Sequence, residues 1–120
     1  MRLGQAILFV HDAPRMESFY AQTFGLHVVD GDAATGFVRL ADPVGGATLA
    51  IHATAAVGPP TGPRRDACVK LCFQVDDIDS GRAALAAAGA SPGEIRRFDS
   101  IAFCDGVDPE GNIIQITTRS

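Results

Sequence analysis

The chain writes one pattern twice. Residues 6–25, AILFVHDAPRMESFYAQTFG, read as a strand, an Asp, an amphipathic helix and a closing Gly, and residues 69–89, VKLCFQVDDIDSGRAALAAAG, read the same way. An offset of 65 lays Val10 on Val75 and Asp12 on Asp77, and the closing glycines Gly25 and Gly89 stand at an offset of 64. The same offset of 65 equates Gln5 with Lys70 and Ala50 with Gln115. A duplicated unit identifies equivalent places in a fold, so these four positions can be compared directly.

In the first copy, a strand over about residues 5–11 leads to Asp12, a good N-cap, with Pro14 tolerated in the first turn. Met16, Phe19, Tyr20 and Phe24 recur along one helical stripe, and Gly25 stops the helix. Three strands are expected next, at 26–30, 36–42 and 47–53, separated by turn chemistry in DGD at 30–32 and DPVGG at 42–46. A Pro/Gly-rich connector, 54–67, follows. The second copy then runs through a strand at 68–75, an Ala-rich helix capped by Asp76 or Asp77 and stopped by Gly89, and strands near 94–98, 100–105 and 111–118, with GVDPEGN at 106–112 as the last turn.

The reading is therefore α+β: module 1 at 1–53, a linker at 54–67 and module 2 at 68–120, each module β-α-β-β-β. One helix covers only one face of a four-stranded sheet, so the two sheets are expected to join edge to edge into a curved, cup-like mixed sheet with the helices outside, the concavity serving as a ligand site.

At 120 residues and 47% apolar, the chain has the length of one domain with a packed core. No run of 18 apolar residues and no signal-peptide pattern occurs, so a cytoplasmic protein without a membrane span is expected. Net charge is −4, Lys70 is the only lysine, and the arginines are scattered; this argues against nucleic-acid binding. Cys68, Cys72 and Cys104 are odd in number and lack CxxC spacing, which speaks against a disulfide framework or structural zinc and for small buried hydrophobes.

Strand alternation sorts the side chains. Val69, Leu71, Phe73 and Val75 form an apolar face that should meet a helix, sending Cys68, Lys70, Cys72 and Gln74 to the other side. The same logic places Gln5, Phe9, Phe37, Arg39, His52 and Gln115 on faces away from the helices. These residues, with Lys70, Cys72 and Gln74, are the candidate ligand-binding set. Lys70 either snorkels to solvent, offers a fixed charge to an anion, or acts as acid or base; Arg39 would reinforce an anion site. His52 is the accompanying candidate for proton transfer. Cys72 is a weaker candidate nucleophile beside Lys70. His11 reads as local structure beside the helix cap, His27 as surface, and Asp105 as the cap of the DPEGN turn.

VHDAPRMESFYAQTFGL, FQVDDIDSGRAALAAAGA and DPEGNIIQI, in this order, resemble the vicinal oxygen chelate superfamily of glyoxalases, bleomycin-resistance proteins and extradiol dioxygenases. The resemblance implies paired modules, a U-shaped sheet, a homodimer, and a divalent metal held by the first and last strand of each module. Those seats fall on Gln5, Ala50, Lys70 and Gln115. Only Gln5 matches a glyoxalase-type ligand; Ala50 has no donor atom, and Lys70 in its protonated form has donors but no acceptor. An extradiol site needs two His and a carboxylate. His52 with Gln5 and Gln115 is the remaining, poorer set for a divalent metal, and no cofactor is expected. The expectation is a metal-free binder of a small organic molecule. The alternatives are a glyoxalase-like lyase or isomerase, or a dioxygenase-related enzyme, with an altered metal site, and an enzyme moving protons with Lys70 and His52.

Overall fold

The computed structural model describes residues 1–64 and 68–120. The chain divides into two compact units, 1–60 and 61–120. The boundary falls inside the expected 54–67 connector, whose last three residues lie outside the described part.

The first unit contains β1 (Gln5–Val10), α1 (Ala13–Phe24), β2 (His27–Asp32), β3 (Phe37–Ala41) and β4 (Thr48–Ala53). Its sheet has the order β1-β4-β3-β2, with β1 and β4 parallel and the other pairs antiparallel. The second unit contains β5 (Leu71–Gln74), α2 (Ile78–Ala87), β6 (Arg96–Phe98), β7 (Ile101–Val107) and β8 (Ile113–Thr117). It repeats the layout as β5-β8-β7-β6, again with one parallel pair, β5 and β8. The chain is thus α+β, with two mixed four-stranded sheets and one helix per unit.

The capping signals act as their chemistry requires. The Asp12 carboxylate accepts from the Arg15 amide at 3.1 Å, and Gly25 ends α1 at φ 68°. Met16 and Tyr20 are fully buried, and Tyr20 stacks on Phe24 with ring centres 5.8 Å apart. This stripe packs on β3 and β4, where Val38, Leu40, Leu49 and Ile51 are buried. In α2, Asp77 rather than Asp76 is the cap: it accepts from the Asp79 amide at 3.3 Å and from the Ser80 hydroxyl at 2.5 Å. These bonds draw its carboxyl below the ordinary value, the Ser80 bond foremost. Gly81 lets α2 approach β8 closely, because a Cβ there would stand 2.8 Å from Ile116 Cδ1.

Several expectations are corrected. β5 begins at Leu71, and Val69 is 72% exposed instead of meeting a helix. Cys68 and Cys72 are exposed; only Cys104 is buried, and desolvation raises its thiol pKa. DGD at 30–32 belongs to β2, whose register shifts between Val28 and Asp30. The reversal is made instead by a 3₁₀ turn, Ala33–Thr35, capped by Asp32, whose carboxylate accepts from the Ala34 amide at 3.0 Å. Gly106 and Val107 continue β7, which tightens the final turn to 108–112. Asp108 caps that turn, taking the Glu110 and Asn112 amides at 2.9 Å each and Asn112 Nδ2 at 2.8 Å. Asp105, read from sequence as the cap, lies inside β7.

Candidate functional site

Each sheet has one face on its helix and one face open. On the first sheet, parallel register pairs Gln5 with Thr48, Ile7 with Ala50 and Phe9 with His52. Antiparallel register then pairs Ala50 with Arg39 and His52 with Phe37. The open face therefore carries successive rows. One is Phe9–His52–Phe37, and beside it is Ile7–Ala50–Arg39. The imidazole of His52 lies 5.7 Å from the Phe9 ring, tilted by 34°, and 5.5 Å from Phe37, edge to face at 88°. Phe9 is 53% exposed and Ile7 50%.

Arg39 has a single charged neighbour among the described residues, Asp30, at Nε–Oδ2 3.9 Å. That separation is too long for a hydrogen bond. The Nε atom is buried and has no hydrogen-bond partner among the described residues. Gln5 sits at the other end of the face, with its side-chain oxygen accepting from the Thr48 hydroxyl at 3.2 Å. Gln5 and His52 are separated by four residues of strand, roughly 13 Å at about 3.3 Å per residue. They do not converge on one point.

The open face of the second sheet is polar. Lys70 Nζ donates to Asp105 Oδ2 at 2.8 Å, Gln115 Nε2 donates to Asp105 Oδ1 at 3.0 Å, and the Cys72 thiol lies 3.7 Å from Gln115 Oε1. The chain is thus Lys70–Asp105–Gln115–Cys72. Partial burial pushes the Asp105 carboxyl upward, but hydrogen bonds from Lys70 and Gln115, with the charges of Lys70 and Arg96, outweigh it and hold the group below its ordinary value. Gln74, paired with Thr117, stands one row beyond Cys72 and Gln115 and is exposed. His11, read from sequence as local structure beside the helix cap, reaches instead to a residue 46 positions on, its Nδ1 lying 3.3 Å from the Val57 carbonyl, and His27 is exposed on β2 as expected.

Of the sequence candidates, the structure assembles Phe9, Phe37 and His52 with Arg39 one row away, and Lys70, Cys72 and Gln115 through Asp105. Asp105 and Asp30 were missed. A signal for Asp105 existed: Arg39 faces Ala50 as Asp105 faces Gln115, so a repeat shifted by one residue equates Arg39 with Asp105.

The metal seats implied by the resemblance can be tested on these contacts. Ala50 offers no donor atom, the Gln5 oxygen is taken by Thr48, and the Lys70 ammonium is held by a carboxylate. Gln115 turns its amide nitrogen to Asp105, leaving one neutral oxygen beside a thiol. Among the described residues, no three His, Cys, Asp or Glu side chains are grouped to hold a metal ion. The residues present do not fit the family's usual ion.

No curated protein matches the chain in sequence. Among solved structures, it is similar to TnmS3, an antibiotic binding protein from Streptomyces sp. CB03234, with TM-score 0.76 and 18% identity over 100% of this chain and 97% of that one. It is also similar to a glyoxalase/bleomycin resistance protein/dioxygenase family enzyme from Burkholderia phytofirmans PsJN, with TM-score 0.74 and 22% identity over 98% of each chain. A lactoylglutathione lyase from Agrobacterium tumefaciens shares the fold at TM-score 0.69 and 22% identity, over 95% of this chain and 90% of that one. Identities this low speak for fold alone. The sequence profile of the Glyoxalase-like domain matches residues 5–117, nearly the whole chain, and by that match the protein belongs to the Glyoxalase-like domain family, within the vicinal oxygen chelate superfamily.

Proposed function

We propose that this protein binds a small organic molecule on the open face of a sheet and does so without a catalytic metal at the family's usual seats. One observation carries the reading: the place of a metal-binding side chain is held by Lys70, and its ammonium is engaged by Asp105 at 2.8 Å. A cation built into the protein repels a second cation and stabilises none of the charge a bound metal would. Support also comes from the antibiotic-binding protein among the structural neighbours. Half-exposed Ile7 and Phe9 on β1, with Arg39 two strands away on the same face, supply the mixture of apolar area and directed polar groups that small-molecule sites use.

The proposal includes a homodimer, supported by Val28 and Val29, each 45% exposed on edge strand β2, and a reducing, cytoplasmic setting, supported by the free, exposed thiols of Cys68 and Cys72. No described helix is long and apolar enough to cross a membrane.

A thermal-shift screen against antibiotics and small aromatic compounds, run beside elemental analysis of the purified protein, tests the reading. Stabilisation by at least one compound in metal-free protein is expected. Stoichiometric nickel, zinc or iron, or silence across the whole screen, would overturn it.

A further inference from the structure

We propose that the open face of the first unit takes a planar aromatic anion, its ring on the Phe9–His52–Phe37 row and its anionic group on Arg39. The inference rests on the small-molecule reading and names the class of ligand. Three neighbouring strands place aromatic rings in one row, with centres 5.7 and 5.5 Å from His52. Phe9 remains 53% exposed there, and Ile7, two residues before it on the same strand, 50%. Half-uncovered Ile7 and Phe9, with exposed His52 and part-buried Phe37, form a surface on which a flat π-system removes apolar area from water and meets ring faces and edges.

The second row supplies the charge. Ala50, at its centre, is itself fully buried, so the surface of the row is formed by Ile7 and Arg39. Arg39 keeps its side chain 37% exposed, and no described carboxylate lies within hydrogen-bond distance of its Nε. A part-exposed guanidinium with no carboxylate at hydrogen-bond distance can take a ligand carboxylate as a charge-assisted partner. Asp30 does not meet this need, being 3.9 Å from Nε with its side chain 63% exposed. Asp32 faces its own turn, accepting from the Ala34 amide. Two residues of strand separate the rows, about 7 Å, which suits a carboxylate borne directly on a fused two-ring system. The cation on the open face of the second unit, Lys70, already holds a carboxylate at hydrogen-bond distance.

The test is an amide-resolved NMR titration of the full chain with 2-naphthoate, 2-naphthamide and cyclohexanecarboxylate. Naphthoate is expected to perturb Phe9, Phe37, Ala50 and His52, and the neutral amide and the non-aromatic acid to bind about tenfold more weakly or worse. Arg39→Gln should lower naphthoate affinity about tenfold and leave naphthamide unchanged, with Arg39→Lys between wild type and Arg39→Gln. Retained amide dispersion shows that each variant is folded; Phe37→Leu, which keeps the apolar contact, should weaken both aromatic probes. Equal binding of naphthoate and naphthamide, perturbation confined to other residues, or indifference to Arg39→Gln overturns the inference. Failure of all three probes, while another compound stabilises the protein in the broad screen, overturns this inference and leaves the small-molecule reading standing. Failure in both experiments overturns both.

Discussion

The two units share a strand order and a helix position, yet their open faces carry opposite chemistry. The first presents Phe9, His52, Phe37 and Ile7 with an arginine whose nearest described carboxylate is 3.9 Å away. The second presents Lys70, Asp105, Gln115 and Cys72, joined in a chain whose ion pair closes at 2.8 Å. The frame is set by what faces the helix, Val38, Leu40 and Ile51 in one unit and Cys104, Ile114 and Ile116 in the other. The open faces are free to diverge because little of the fold's stability depends on them. Each open face carries one such cation, at places the repeat does not equate, and they differ: Arg39 has no described carboxylate at hydrogen-bond distance, whereas Lys70 is engaged by Asp105.

The strongest way to break the comparison is to break the frame. Ile116→Ala, beneath α2, should cost about 2–4 kcal/mol in urea denaturation and Leu40→Ala, beneath α1, a similar amount, since both remove a fully buried branched side chain. A much smaller loss in one unit would mean that the two cores are not equivalent. Next in size, Lys70→Gln should change 2-naphthoate affinity less than about twofold, against the larger loss for Arg39→Gln, because a cation already bonded to a carboxylate adds little to ligand capture. Equal losses would erase the distinction between the faces. Thiol labelling sharpens it further: Cys68 and Cys72 should react in the native protein, and Cys104, 1% exposed with its thiol pKa raised by burial, only after unfolding.

The smallest effect concerns acid. The Asp105 carboxyl is lowered in the folded state, so its contribution is present above its unfolded value of about 3.8 and is lost as pH falls through the lower, folded value. Asp105→Asn should flatten that acid limb by under about 1 kcal/mol, given that the pair is nearly half exposed. An unchanged limb would show that the Lys70–Asp105 bond adds nothing to stability in solution.

Much of this was legible in the residues. Asp12 and Gly25 bound α1, and strand alternation placed Phe37, Arg39 and His52 on one face, because caps and two-residue periodicity are local properties. Lys70 could be singled out as a charge in the place of a metal ligand, but its partner could not. Asp105 precedes a turn-forming run and reads locally as a cap, whereas its real partners are 35 and 10 residues away. The exposure of Val69 was likewise hidden, since an apolar residue in a strand-like run carries no mark of where pairing begins.

The sequence by itself determined the duplicated β-α-β-β-β unit, the helix limits and which residue types stand at the equivalent positions 5, 50, 70 and 115, since each depends on residue type and short-range spacing. Only the tertiary structure decided which cation is engaged and which is open. That follows from the register of β7 on β8 and of β2 on β3, which sets Asp105 beside Gln115 and within reach of Lys70 but leaves Asp30 short of hydrogen-bonding Arg39. Register is a choice among long-range pairings, made by the burial of whole sheet faces, and no local stretch of residues contains it.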